Sequence, residues 1–287
     1  MIKSSCETET PFDYAKRSSI GCGGIAPVAF YPNSVEELIS LINELDSNNF
    51  PFTMLGNLTN VLPPDGESKM PVVSTKRLKG IEETEIGVFV LAGVTSGELL
   101  KTCKRLSLSG AEFLEGIPCT LGGALYMNAG VSGRYISEIT ESVMVLRSGK
   151  LVVLEKEACQ YAYKSSVFMH TRDVIVGARL RLQKATEEAV ANKMKEYRLK
   201  RARLPKGKSM GCVFKNPQGK IAGKLIEGAG LKGLRVGGAV VSSEHANFII
   251  NDKNATSAQI KTLINLIKNA VFAQYKIRLE EEIRYLP

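Results

Sequence analysis

At 287 residues, with 44% hydrophobic and 23% charged side chains, the chain suits two or three modest domains with proper cores, and an ordinary composition of this kind excludes a disordered or collagen-like protein. No run approaches the ~18 apolar residues of a membrane span, and the opening Met-Ile-Lys-Ser-Ser-Cys lacks an export pattern, so a cytoplasmic protein is expected. A net charge of +9 favours an anionic partner: nucleic acid, a membrane surface or a phosphorylated small molecule.

Cysteine and histidine narrow the chemistry. Cys6, Cys22, Cys103, Cys119, Cys159 and Cys212 are scattered with no C-x-x-C pair, which reads as free thiols and not as a disulfide framework. His170 and His245 stand far apart without companion spacing, so no metal site and no Ser-His or Cys-His hydrolase is expected.

In chain order, residues 1–19 read as a poorly structured extension, followed by the glycine cluster Ile20-Gly-Cys-Gly-Gly-Ile-Ala26 and the apolar run 28–31. Ser34-Val-Glu-Glu37 is a capping box for a helix with Val35, Leu38, Ile39, Ile42 and Leu45 on one face. A strand at 52–55 then enters the polar turn Gly56-Asn-Leu-Thr-Asn60, an order that implies an α/β or α+β unit with ligand-facing loops at strand ends. A strand at 87–92 precedes a helix capped by Thr95, with Leu99, Leu100, Cys103 and Leu106 on its inner face.

Next comes Glu115-Gly-Ile-Pro-Cys-Thr-Leu-Gly-Gly-Ala-Leu-Tyr-Met-Asn-Ala-Gly130. Its glycines permit close approach of backbone to a flat or phosphorylated ligand, and successive N–H groups in such a loop can form an anion cradle. A tight turn feeding a buried helix is the alternative. Residues 142–147 and 151–154 form a hairpin through Ser148-Gly149, and 174–176 and 178–182 supply further strand. A basic helix beginning at Thr186 carries Val190, Met194 and Tyr197 as its apolar stripe and marks an expected domain boundary. The run Lys193–Lys208 holds eight basic residues, either a solvated face or an anion-binding one. A helix near 222–227, the run 239–241, a strand at 247–250, a helix capped by Thr256 with Ile260, Leu263, Ile264 and Ile267 inward, and a strand-like 277–284 complete the chain.

Two motifs fail on context. Gly228-Ala-Gly230-Leu-Lys-Gly233 matches a dinucleotide fingerprint in letters, but a helical pattern precedes it and no helix follows, so it reads as a helix C-terminus with turns. Gly207-Lys208-Ser209 ends like a phosphate-binding loop, yet Ala202 stands where that loop needs glycine.

Taken together, several blocks resemble the UDP-N-acetylenolpyruvoylglucosamine reductase family, also called UDP-N-acetylmuramate dehydrogenases. They are the 115–130 loop, Tyr161-Ala-Tyr-Lys-Ser-Ser-Val-Phe168, Ser209-Met-Gly-Cys-Val-Phe-Lys-Asn-Pro217, Ala222-Gly-Lys-Leu-Ile-Glu227, Val241–Asn251 and Arg278-Leu-Glu-Glu-Glu-Ile-Arg284. The resemblance implies an α+β fold: a two-part FAD-binding domain of the PCMH (vanillyl-alcohol-oxidase-like) type over 20–184, with subdomains of roughly 20–80 and 81–184. An α+β substrate-binding domain over 185–287 follows, its terminal strand reaching the flavin site. It also implies bound FAD, NADPH as reductant and UDP-N-acetylglucosamine enolpyruvate as substrate, in a monomer with no nucleic-acid or membrane partner.

Carried over by residue, the resemblance makes Cys212 the proton donor in place of a serine, Glu282 the catalytic glutamate and Lys164 the successor of a catalytic arginine. It implies cofactor contacts at Gly56, Asn57, Thr59, Asn60, Gly116, Pro118, Thr120, Gly122, Gly123, Asn128, Ala129 and Gly130, and substrate contacts at Lys215, Asn216 and Ser165. A thiol, which ordinarily titrates at roughly pH 8.5, is a far stronger acid than an alcohol. Lysine offers a point charge where arginine offers a planar fork. Leu58 and Cys119 each replace a glycine of the family pattern. These departures motivate a second reading, a catalytically weakened FAD-binding paralogue with a regulatory role. A nucleic-acid binder built on Lys193–Lys208 is the third and weakest reading, because Tyr197 is the run's only aromatic residue.

Overall fold

The computed structural model of the chain describes residues 5–287. They divide into two compact units, each discontinuous in sequence.

Unit one takes the described residues up to Glu9, Ala29–Asn57 and Val72–Ala202. Its smaller sheet orders the strands Glu7–Glu9, Ala29–Tyr31, Val72–Ser74 and Thr53–Leu55, the last three parallel. The helix Val35–Ser47 provides the crossover that a parallel pair needs. Ser34 Oγ accepts the Glu37 N–H at 3.1 Å, while the Glu37 carboxylate takes the Asn33 N–H at 2.8 Å, so the box closes one residue early. Its buried face is Leu38, Leu41, Ile42 and Leu45, with Leu41 taking the place expected for Ile39.

The larger sheet of unit one is antiparallel throughout, in the order Lys150–Glu155, Thr140–Arg147, Val174–Arg181, Gly87–Leu91 and Ile81–Thr84. The expected hairpin is present, and Ser148 and Gly149 both have left-handed φ (48° and 76°), as a two-residue hairpin turn matched to strand twist requires. The two segments expected at 174–182 are one strand. The Ser96–Arg105 helix has the complete reciprocal box from Thr95 and Glu98. The basic helix Glu187–Arg201 also belongs to unit one, which places it on the other side of the division expected near residue 185. Its charge made it look like a seam. Buried Val190, the Arg198–Glu115 ion pair at 2.9 Å and the Lys193 Nζ–Ser109 Oγ bond at 2.9 Å tie it in.

Unit two takes Thr10–Val28, Leu58–Pro71 and Arg203–Pro287. An antiparallel sheet orders Ser209–Cys212, Phe248–Asn251, Ala239–Val241 and Arg235–Val236. The helices Ala222–Gly228 and Ser257–Tyr275 add Ile226, Ile260, Leu263, Ile264 and Ile267 to its core. Thr256 closes a full capping box with Gln259, and the Asp65 carboxylate accepts the Ser257 and Ala258 N–H groups at 2.9 and 2.8 Å. An acceptor at a helix N-terminus satisfies donors that have no partner within the helix. The rejected glycine motif is indeed a helix end, with Gly230 and Gly233 at φ 72° and 79°.

Two expectations are corrected. The extension is structured from Glu7 onward, with a strand Phe12–Asp13 paired to Ile25–Ala26 and a short helix Tyr14–Arg17. Phe12 and Tyr14 are buried and meet edge to face at 5.1 Å. Two isolated aromatics among polar residues carry no periodicity, so this anchoring is visible only in three dimensions. The end of the chain is not a strand over 277–284: a single bridge joins Glu281 to Phe214, and Arg284–Tyr285 pairs in parallel with Val61–Leu62. Residues 1–4 lie outside the described part.

Candidate active site

The residues implicated by sequence fall into two groups, one in each unit, and the unit boundary falls between Asn57 and Leu58.

In unit one the 115–130 loop contains a helix, Leu121–Met127, begun by Thr120, whose hydroxyl accepts the Gly123 N–H. Leu121 N–H donates to Val94 O at 2.8 Å and Gly122 N–H to Ala92 O at 2.9 Å, so those donors are already satisfied. Gly122 and Gly56 serve close packing: a Cβ on Gly122 would press on Ala92, and one on Gly56 would collide with the Thr120 hydroxyl. Asn57 Nδ2 donates to Pro118 O at 2.9 Å, joining the 56–60 turn to this loop. Ser96 holds the same loop through bonds at Ile117 O and Cys119 O. Burial pushes the Cys119 thiol up to about 11, so it is a packed thiol and not a reactive one.

The N–H groups of Asn57, Leu58 and Thr59 enter none of the backbone–backbone hydrogen bonds among the described residues. Leu58 holds φ at 51°, where glycine is the usual occupant, and it does so with its side chain buried. Consecutive backbone donors around a left-handed residue are the chemistry of a diphosphate-binding nest.

Asn128 ends the 121–127 helix at φ 44°. Its side chain is occupied by protein: Nδ2 donates to Ala162 O at 2.8 Å and Oδ1 accepts the Ser137 N–H at 3.2 Å. Ala162 opens the turn that presents Lys164. Ser165 N–H returns to Ala162 O at 3.2 Å, and Lys164 sits at the second central position with φ 53°. That is the geometry of a type II turn, whose third residue is normally glycine. Lys164 is therefore held in a conformation that a lysine adopts at a cost. Ser166 Oγ adds a second tie, donating to Tyr126 O at 2.6 Å. Ser165 is half-buried in the same turn.

In unit two, Cys212 ends the strand Ser209–Cys212. Ser209 pairs with Ile250 and Cys212 with Phe248, so three steps on one strand oppose two on the other, and Gly211 at φ 77° absorbs the extra residue. A bulge of this kind re-aims the side chain beside it. Beyond Cys212 the segment 213–215 pairs with 280–282: Glu282 N–H donates to Val213 O at 2.8 Å and Lys215 N–H to Glu280 O at 2.8 Å. Glu282 is thus bonded to the residue that follows Cys212, although Glu282 and Cys212 stand 70 positions apart in the chain. Asn60 Nδ2 donates to Glu282 O at 3.2 Å, and Arg284 N–H to Asn60 O at 3.0 Å.

Glu280 pairs with Lys215 at 2.5 Å and Glu281 with Lys268 at 2.8 Å. Asn216 Oδ1 accepts the Ala222 N–H at 3.0 Å, holding the start of the 222–228 helix. Asn247 was not singled out from sequence, though it lies within a block that carried the resemblance. It is buried against Phe214, and only the fold reveals it.

No group of three or more metal-binding side chains occurs among the described residues, and no helix among them is long and apolar enough to cross a membrane.

Comparison with known proteins identifies two family models along the chain. The family model for the C-terminal domain of UDP-N-acetylenolpyruvoylglucosamine reductase matches residues 202–286, and that for an FAD binding domain matches 26–155. The chain is 38% identical over 264 residues to the UDP-N-acetylenolpyruvoylglucosamine reductase of Shouchella clausii, covering 91% of this chain and 85% of that protein. It is 36% identical over 270 residues to the protein of that name from Clostridium novyi, covering 93% and 88%. The crystal structure of UDP-N-acetylenolpyruvylglucosamine reductase from Thermus caldophilus superposes with a TM-score of 0.84 at 32% identity, covering 98% of this chain and all of that one.

Proposed function

The chain belongs to the UDP-N-acetylenolpyruvoylglucosamine reductase family, and from that premise we propose how its own residues carry out the reduction of UDP-N-acetylglucosamine enolpyruvate to UDP-N-acetylmuramate, a step of peptidoglycan synthesis. FAD, reduced by NADPH, supplies the hydride for C3 of the enolpyruvyl group. The donors of the 56–60 turn, with Asn57 tied to the 115–130 loop, hold its diphosphate. Cys212 delivers the proton to C2, a role suited to a thiol poised by a bulge at a strand end. Glu282, bonded to the residue after Cys212, takes the family's glutamate role. Lys164 offers an ammonium to the substrate carboxylate as charge develops. The relatives from Shouchella clausii and Clostridium novyi bear the enzyme's name, which favours the catalytic reading over a weakened paralogue. A cytoplasmic, monomeric enzyme completes the proposal, checked by cell fractionation and sedimentation.

The observation that supports this reading is the pairing of 213–215 with 280–282, in which the Glu282 N–H bonds Val213, the residue after Cys212. The test is direct. The purified protein should be yellow, NADPH should bleach the flavin band, and the enolpyruvyl nucleotide should restore it. In Cys212→Ala the bleaching should persist while restoration fails. A colourless protein, or normal restoration in that variant, would overturn the assignment.

A further inference from the structure

The segment that follows Cys212 is held by one residue that the reaction does not use. Asn247 makes three hydrogen bonds to two consecutive residues. Its carbonyl accepts the Val213 N–H at 2.8 Å, its Oδ1 accepts the Phe214 N–H at 2.9 Å, and its Nδ2 donates to Phe214 O at 2.8 Å. The carboxamide thereby imitates a peptide group of a neighbouring strand, one donor and one acceptor in a plane. Asn247 and Phe214 are both buried, at 3% and 1% exposure, so water cannot replace these bonds.

The consequence follows from peptide planarity. The Cys212–Val213 peptide is a rigid plane, and its N–H is fixed by Asn247 O. The next plane, Val213–Phe214, is gripped from both sides: its N–H by Asn247 Oδ1, its carbonyl by the Glu282 N–H. The main-chain carbonyl of Asn247 therefore holds the plane from which Cys212 projects, and its side chain holds the next plane, whose carbonyl is bonded to Glu282. Asn247 N–H itself donates to His245 Nδ1 at 3.3 Å, which anchors the clamp from behind.

We propose that Asn247 is the positioning residue of the proton-delivery pair, acting through the Val213–Phe214 backbone to set the reach of Cys212 relative to Glu282. This rests on the roles assigned to Cys212 and Glu282 above. Deleting the carboxamide leaves NADPH oxidation and FAD binding intact and slows proton delivery.

The experiment uses FAD-loaded Asn247→Ala and Asn247→Asp in anaerobic stopped flow, with Cys212→Ala alongside. In Asn247→Ala, bleaching by NADPH should stay within about twofold of the parent while restoration by the enolpyruvyl nucleotide slows by about 10- to 100-fold, the scale of a small misplacement of a reacting group. Asn247→Asp keeps the acceptor for Phe214 N–H and loses the donor, so its restoration rate should lie between the two. As a readout independent of turnover, iodoacetamide labelling of Cys212, followed by mass spectrometry, should change about threefold or more in rate in the alanine variant. Parent-like restoration and labelling in both Asn247 variants would overturn the proposal, as would equal slowing of both half-reactions, which marks a merely structural residue. If Asn247→Ala fails to fold, Asn247→Asp decides by the same criteria. Normal restoration in Cys212→Ala would instead show that the reading of Cys212 had failed, and this proposal would fall with it.

Discussion

Lys164 and Cys212 are presented in opposite ways. Lys164 stands on a four-residue turn, in a left-handed conformation, tied to its unit by the Asn128 amide and the Ser166 hydroxyl. Cys212 ends the edge strand of a sheet, with Asn247 on one side of the following residues and 280–282 on the other. The turn places a charge through local strain and two side-chain bonds. The strand places a thiol through a ladder spread over three chain segments. A long lysine tolerates an approximate base because its stem adapts, whereas a short thiol has no reach of its own and depends on its backbone.

That contrast can be broken, most severely at the thiol. Cys212→Ala should lower turnover by about 10²- to 10⁴-fold, the range for removing a general acid, with the flavin still bleached by NADPH. Undiminished steady-state turnover would remove Cys212 from the site and the contrast with it. At the other pole, Asn128→Ala should destabilise the protein by about 3 kcal/mol, combining two lost buried hydrogen bonds with alanine at positive φ. Asn128→Gly keeps the backbone relaxed and should recover about 1 kcal/mol of that loss in urea titration. Equal midpoints for the two variants would mean that the left-handed residue carries no strain.

Smaller effects sharpen the comparison. Lys164→Gly relieves the turn and should raise stability by up to about 1 kcal/mol while impairing turnover, a trade expected where strain serves function. Lys164→Arg should retain or raise activity, since the guanidinium restores a planar fork to the carboxylate. A large loss would show a site rebuilt around the ammonium. Last, burial lowers the pKa of His245 from 6.5, with nearby Lys232 adding to the shift and Glu227 opposing it. A base with a depressed folded pKa contributes stability that is complete above the unfolded value. That contribution is lost as pH falls from 6.5 toward the folded value. Protonation also costs Asn247 N–H its acceptor at Nδ1. The parent should therefore lose more urea stability than His245→Gln between pH 7 and 5, by less than about 1 kcal/mol for this half-buried group. Parallel loss in both would exclude the imidazole as the cause.

Much of this protein was legible without coordinates where local chemistry decides. Ser34, Thr95 and Thr256 each start the helix expected of them, because a cap needs only a side chain and the N–H three residues on. Ser148-Gly149 gives the hairpin, because two left-handed residues are a local requirement. The order of the blocks carried the family.

Sequence by itself therefore determined the helix starts, the main hairpin, the family and the residues to suspect. Tertiary structure alone decided that Phe12 and Tyr14 are buried anchors, that the basic helix belongs with unit one, and that the Leu121 and Gly122 N–H groups are bonded to Val94 O and Ala92 O. It alone decided that Asn128 spends its side chain on the Lys164 turn, and that Asn247 and Glu282 flank the backbone beyond Cys212. The reason is physical. Periodicity and capping are written within a few residues, whereas the Phe214–Asn247 bonds span 33 positions and no local pattern encodes their register.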